Sequence, residues 1–599
     1  MKHVYRRIDV ECPKKAGSFP MAWGSDAIAE MLRRLDLEFV ALNPGSSYRG
    51  LHDSIVNYLG NERPKILLCN HEEHAVAIAH GYAMVTGKPM AAMVHSNVGL
   101  MHASMAVFNA WCSRVPVIII GAVGPVDAAR RRPWIDWIHT AKDIGALVRN
   151  YTKWDDQPAS VPAAFESLLR ASQLACSPPC GPVYICLDVA IQEAKLEGPL
   201  PIPDVSRFKP PSAQEAPQED LKRAAEMLCN AKRPLILAGR VSRGQADWDL
   251  RVRLAETLGA KVLTDIKVGA AFPTNHPLHG AAPGFFLSEE AMALMRDADA
   301  VLSLDWIDLA GAFKQTWGKG NVSAKVIHCS VDYHCHNGWS MDHQGLPPVD
   351  LPIAAEPDVV VPHLLAMIKE LRGTSTPSKQ SGWGPSRLKR GVPVQRKVSG
   401  EISIGHIAQC LYKASGDRKI SLTRLPLGWP GGARDFQGPL DYLGFDGGGG
   451  IGSGPGMSIG AALALRGSGR IPVAILGDGD YLMGVNALWT AARYRIPLLI
   501  IIANNRSYFN DEVHQGRVAK ERGRPEDNKW IGQRIDDPPV DLAGLARAQG
   551  LGGEGPIKKS KDLTDALVRG IAMVEEGQGY VVDVLVSRST VSAPAAGSK

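Results

Sequence analysis

Short apolar runs rich in Val, Ile and Leu recur along this chain, and each gives way to a stretch of helical periodicity before the next begins. PVIII (116–120) and PVYICLDV (182–189) follow this rule early on. RPLILAG, AKVLTDI, DAVLSLD and AKVIHCSVD follow it in the middle, and KISLTRL, IPVAILGDGD, IPLLIIIANN and GYVVDVLVS towards the end. A strand that is apolar on both faces must be covered on both, and a parallel sheet with crossover helices provides that cover. Two segments break the alternation. EGPLPIPDVSRFKPPSAQEAPQ (197–218) is polar and proline-rich, and GTSTPSKQSGWGPSRLKRGVPVQRKVSG (373–400) mixes Ser, Gly, Pro and basic residues. With these as linkers, 599 residues divide into domains 1–196, 219–372 and 401–599, sizes that single cores sustain. The expected fold class is α/β, three doubly wound parallel-sheet domains.

Charge and apolar length exclude some roles. The 67 basic and 61 acidic residues leave only +6, with no Lys/Arg block, so nucleic-acid binding has no electrostatic support. No apolar stretch nears the roughly 18 residues that span a bilayer, and MKHVYRRIDVECPKKAGSFP lacks the core of a signal peptide, so a cytoplasmic location without membrane contact is expected. Ten scattered cysteines read as reduced thiols. His328, Cys329, His334, Cys335 and His336 form a metal-like cluster that strand-end residues of an α/β domain explain more economically.

The chemistry concentrates in ILGDGDYLMGVNALWTAARYRIPLLIIIANN (475–505). Ligands of open parallel sheets bind beyond the carboxyl ends of the strands, and Asp478 and Asn505 each lie just past such an end. Neighbouring strands run roughly 5 Å apart, so both side chains can reach one cation. A carboxylate and an amide oxygen are hard donors suited to Mg²⁺, which keeps room for a phosphate oxygen. Gly477 and Gly479 allow close approach of such a ligand, beside the free amides of a helix start. A turn at GDGD and a helix cap at the asparagines would explain each half separately; the pair, 27 residues apart (505 − 478), points to a ligand.

This Gly-Asp-Gly to Asn-Asn arrangement resembles the thiamine diphosphate and magnesium motif of decarboxylases and acetohydroxyacid synthases. The resemblance implies Asp478, the Asn505 side chain and the Ser507 carbonyl as metal ligands, with Gly477, Asp478, Gly479, Asp480 and Asn505 on the cofactor. It also implies a glutamate that bonds the aminopyrimidine ring and favours the tautomer that removes the thiazolium proton. In KILLCNHEEHAVAIAHGYAMVTGKP (65–89), the family places this residue nine positions before the glycine of Gly-Tyr-Ala, which is Glu72; Glu73 is the competitor, and a helix N-terminal acid is the plain alternative for either.

FVALNPGSSYRGLHD and AAMVHSNVGLMHASMAVFNAWCSRVPVIIIGA look like benzoylformate decarboxylase, whose matching serine and histidine face the substrate. Ser46 would then hold the substrate carboxylate and His95 would relay protons, with His102 the rival histidine. Ile451, in GGGGIGSGPGMSIGAALAL (447–465), stands where the family puts an apolar residue under the cofactor, and FPTNHPLHG (272–280) resembles the supporting central domain. The chain departs from the pattern at VLSLDWIDLAGAF (301–313), where Asp305, Trp306 and Asp308 occupy the stretch of a second histidine. Thr423, Arg424 and Trp429 are candidates for diphosphate contacts. The polar run 506–534 reads as a lid over the cofactor.

The resemblance as a whole implies a decarboxylase converting a 2-oxo acid to an aldehyde through an enamine, and Trp and Tyr near the expected pocket point to an aromatic or bulky substrate. The alternative is an acetolactate synthase-like carboligase that joins or cleaves C–C bonds. It also implies a homodimer or homotetramer with sites between subunits. FAD is not expected, because the middle block has no glycine-rich dinucleotide fingerprint.

Overall fold

The computed structural model of the protein describes residues 11–14, 19–198, 200–335, 345–372, 382–383 and 401–588. It contains three wholly parallel sheets, and the α/β expectation holds in each. The first is built from β1 (Phe39–Leu42), β2 (Lys65–Leu68), β3 (Met90–Met93), β4 (Val117–Val123), β5 (Asp155–Asp156) and β6 (Pro182–Asp188), in the order β2-β1-β3-β4-β6-β5. The second takes β7 (Pro234–Ala238), β8 (Lys261–Thr264), β9 (Ala300–Leu304), β10 (Lys325–Cys329) and β11 (Leu351–Ile353), in the order β11-β10-β9-β7-β8. The third takes β12 (Ile420–Arg424), β13 (Ile471–Gly477), β14 (Leu499–Asn504), β15 (Gly552–Ile557) and β16 (Tyr580–Leu585), in the order β12-β13-β14-β16-β15.

Central strands are buried along their length because both faces carry Val, Ile, Leu or Ala; β4 and β14 have no exposed position. β13 and β14 are adjacent, with Gly477 opposite Ala503, so the residues that follow each strand emerge side by side. The described residues of the expected linker 197–218 are irregular apart from a turn of 3₁₀ helix at Val205–Arg207, up to the helix Gln218–Asn230. The expected linker 373–400 lies outside the described residues, save 382–383.

One apolar core joins the first and third domains. Helix Glu72–Thr86 packs against helix Gly454–Ala464, and residues of both sheets share the cluster around them. The helices approach closely because glycines meet backbone: a side chain at Gly81 would fall 1.9 Å from the Met457 carbonyl oxygen, and one at Gly460 the same distance from that of Ile78.

His328 and Cys329 end β10, as strand-end residues should; His328 Nδ1 lies 3.0 Å from Ser303 Oγ, and the Cys329 thiol donates to the Ala355 carbonyl. His336 lies outside the described residues. Among the described residues, no helix is long and apolar enough to cross a membrane.

Candidate active site

Asp478 opens helix Asp478–Gly484 just beyond β13 and is almost fully buried. Its carboxylate accepts the Gly479 amide at 3.0 Å and the Ser507 amide at 3.2 Å, so its charge rests on backbone dipoles with no cationic side chain among these hydrogen bonds. Burial pushes its pKa from 3.8 up to about 6 against those bonds. Beyond β14, Asn504 faces inward, donating to Asp583 at 3.0 Å and accepting the Arg506 amide at 3.1 Å. Asn505 behaves differently: its side-chain oxygen is buried and has no hydrogen-bond partner, a state that an ion or an ordered water would relieve. Its backbone carbonyl accepts from Arg588 at 2.9 Å, which fixes the turn. Asp583 is likewise raised to about 6, chiefly by burial and then by the charge of Asp478. Space opens above this strand end, since a side chain at Gly477 would meet nothing within 4 Å.

The chain continues through Arg506, in the left-handed region at φ 56°, into helix Phe509–Glu521. The 506–534 run is therefore largely an ordered excursion and is pinned at its base. Tyr508 donates to Gln533 O at 2.9 Å, Ile535 donates to Arg506 O at 2.9 Å, and Ser507 Oγ donates to Glu512. Trp530 and Ile531 expose apolar surface at its tip.

Asp480 turns away from the strand end. Its Oδ1 accepts the amides of Gly452 at 2.7 Å and Gly454 at 3.2 Å, and Oδ2 lies 3.6 Å from Arg424 Nε. It thus holds the loop that displays Ile451, which is 38% exposed. Arg424 is buried, bonds Asp446 at 2.6 Å and stacks 3.8 Å from the Phe445 ring centroid. Thr423 bonds Ser458 at 3.0 Å. Both of these candidate diphosphate contacts are thus engaged inside the domain, while Arg424 Nη1 and the Trp429 indole N–H are each buried with no partner.

In the first domain, His71 caps helix Glu72–Thr86 by accepting the Glu73 amide. Glu72 is buried; its Oε2 lies 3.0 Å from His102 Nδ1, and Oε1 sits where a side chain at Gly99 would intrude at 2.8 Å. His71 stacks on His102 with centroids 4.8 Å apart, and His71, Glu72 and His102 each present one ligand-type atom within 4.8 Å of the others. Glu73 points elsewhere: its Oε1 lies 3.8 Å from a side-chain position at Gly452, and burial followed by the Asp480 charge raises its pKa. The two glutamates are thereby separated, Glu72 towards its own domain and Glu73 towards the loop of Ile451.

His95 precedes helix Ser96–Cys112 and bonds Ser47 Oγ through Nδ1 at 2.8 Å. Ser46, the expected partner in substrate binding, is exposed and lines an open cleft of about 600 Å³ with Pro44, Arg49 and His52. The structure therefore brings Ser47, not Ser46, to His95. The extended Gly45 backbone turns the next side chain outward, and the 3₁₀ turn Ser46–Tyr48 brings the one after it back. Burial and then His139 lower the His95 pKa; the His139 ring stands edge-on with centroids 4.5 Å apart. Sequence gave no sign of His139, because it is loop position and tertiary contact that bring it there. Asp583, by contrast, is legible as the single charge inside the apolar run YVVDVL.

Asp305, at the place of the missing second histidine, is locked by Arg240 Nε at 2.9 Å and Ser330 Oγ at 2.7 Å. That stretch is therefore committed to holding the central domain together.

Family models agree with this layout. Those of the thiamine pyrophosphate enzyme N-terminal TPP binding domain, central domain and C-terminal TPP binding domain match residues 22–147, 221–357 and 428–584. Benzoylformate decarboxylase of Pseudomonas aeruginosa is 24% identical over 87% of this chain and 92% of its own length. The acetolactate synthase large subunit of Haemophilus influenzae is 22% identical over 83% and 85%. In structure, the chain is similar to benzoylformate decarboxylase from Polynucleobacter necessarius, with a TM-score of 0.78, 18% identity and coverage of 95% and 99%. It is also similar to a 4-hydroxybenzoylformate decarboxylase from Rhodococcus jostii, with a TM-score of 0.75, 22% identity and coverage of 95% and 100%. At those identities the structural likeness speaks to the fold alone. With all three of its domain models matched in order, the chain belongs to the thiamine pyrophosphate enzyme family.

Proposed function

We propose that this protein binds thiamine diphosphate through Mg²⁺ and decarboxylates a 2-oxo acid, with an aromatic or bulky side chain, to an aldehyde. The observation that carries the reading is the buried, unpartnered Asn505 side-chain oxygen, in the turn whose Ser507 amide bonds the buried Asp478 carboxylate, with open space at Gly477. Hard oxygen donors left without a counter-charge fit a divalent cation that keeps phosphate among its ligands. Asp478, Asn505 and the Ser507 carbonyl would hold it.

Thiamine diphosphate, when bound, supplies a nucleophilic thiazolium carbon and an electron sink for the pair released with carbon dioxide. The chain's own residues do the rest. Glu72, buried in its domain, would face the pyrimidine edge and give or take up a proton at its carboxyl there. Ile451, partly exposed on its loop, would give the cofactor apolar support. His95, its pKa lowered by burial and then by His139, would accept or return a proton near the substrate, and Ser47 fixes the ring through Nδ1. Ser46, on the neighbouring cleft, bonds the substrate carboxylate. From the family resemblance, the reading includes a homodimer or homotetramer in which the first domain of one copy and the third of another, carrying Glu72 and the metal donors, complete each site.

Carboligation is the second reading, favoured by the acetolactate synthase relatives. Carbon dioxide release across a panel of 2-oxo acids, followed by product analysis with and without an acceptor aldehyde, tests both. Free aldehyde supports decarboxylation, and exclusively C–C coupled products overturn it.

A further inference from the structure

We propose that His102 is the proton port of Glu72, passing protons between solvent and the buried carboxyl; this rests on the role given to Glu72 above. The Glu72 side chain is only 7% exposed, whereas that of His102 is 55% exposed, and the two meet at 3.0 Å. Among the described residues, His102 is the hydrogen-bond partner of the Glu72 carboxyl. A buried acid that must change protonation state in every cycle needs a route for its proton, and an imidazole with one nitrogen on the acid and the other free provides one.

The surroundings hold the imidazole in place. His71 stacks on it with planes 24° apart, and His71 is itself fixed as the helix cap. The titratable groups facing this pair are His71 and its neighbour His74, whose centroids are 5.3 Å apart, together with Tyr48 and His95, both of which feel the Glu72 charge. None of them is hydrogen-bonded to the carboxyl. The two carboxyl oxygens are also distinguished: Oε2 belongs to His102, and Oε1 lies over Gly99.

The exchange balances. Nε2 takes a proton from water, Nδ1 gives one to Oε2, and the ring returns to neutrality as the other tautomer; the reverse sequence carries the proton out. One proton enters and one leaves, and no electron is transferred.

His102 acts through Glu72 and is therefore a positioning residue, which calls for a readout beyond turnover. Calorimetry would measure thiamine diphosphate affinity with Mg²⁺, and acid-quench NMR would measure deuterium exchange at C2 of the bound cofactor, for wild type, His102→Ala, His102→Asn and Glu72→Gln. The expected result is near wild-type affinity in both His102 variants with C2 exchange slowed about 100-fold. Added imidazole should accelerate His102→Ala and leave Glu72→Gln slow. Wild-type exchange in His102→Asn, or slow exchange in His102→Ala that imidazole does not relieve, would overturn the port. A wild-type protein that binds no cofactor would overturn the proposed function together with it, and affinity alone tells the two failures apart.

Discussion

Asp478 Oδ2 accepts the Ser507 amide at 3.2 Å, a bond that ties the first residue beyond β13 to the turn beyond β14. It holds a buried carboxylate against the turn that carries Asn505, with no positive charge supplied by the carboxylate's hydrogen bonds. The pKa of Asp478 stands at about 6 against an ordinary 3.8, so folding takes up a proton between those values. The stabilisation is full below about 3.8 and is lost as pH rises through about 6, worth about 3 kcal/mol in order of magnitude. Asp478→Asn removes this dependence. The metal-free variant should therefore be more stable than metal-free wild type at pH 7.5 and lose that advantage by pH 4, as read in urea denaturation midpoints.

Glu72→Gln keeps the size and burial of the side chain and removes its titration. Thiamine diphosphate affinity should stay close to wild type, while turnover falls by about 10²- to 10⁴-fold. A parallel Glu73→Gln variant should retain most of its turnover, because Glu73 points towards the Gly452 loop. Steady-state kinetics on the best 2-oxo acid of the panel would check both.

Asp480 binds two loop amides and faces Arg424. Asp480→Ala leaves those amides unsatisfied and should cost about 2–4 kcal/mol of stability. Ile451→Ala, on the same loop but partly exposed, should change stability by less than about 1 kcal/mol and still lower turnover. Chemical denaturation of both variants separates a strut from a residue that supports a ligand.

Gly460→Ala would place a carbon 1.9 Å from the Ile78 carbonyl oxygen in the helix pair that joins the first and third domains. Backbone cannot yield as a flexible side chain does, so a loss of about 3 kcal/mol or more is expected. Thermal unfolding followed by circular dichroism would show it.

The fold was legible where strands are apolar on both faces: β4, β6, β7 to β10, β12 to β14 and β16 all lie on runs that stand out by composition. β15 did not stand out, because GGEGPI is an edge strand without the β-branched residues that mark buried ones. β5, only Asp155–Asp156, carries no pattern at all. In the site, Asp478 and Asn505 were readable because chemistry at the end of adjacent strands needs polar residues directly after an apolar run. The Ser47–His95–His139 grouping was not, since it depends on how a 3₁₀ turn and a loop from beyond β4 are folded back on helix Ser96–Cys112. A resemblance pointed to Ser46, and a one-residue difference in turn geometry decides which hydroxyl meets the imidazole.

The central claim is that the ends of β13 and β14 hold Mg²⁺ and, through it, thiamine diphosphate. Calorimetric titration of the full-length protein with thiamine diphosphate, in Mg²⁺ and in excess EDTA, for wild type and Asp478→Ala, tests it most directly. Saturable binding by wild type in Mg²⁺, with affinity lower by at least about tenfold, or about 1.4 kcal/mol, in EDTA and in the variant, is the expected result. Equal affinity in all three conditions would contradict it.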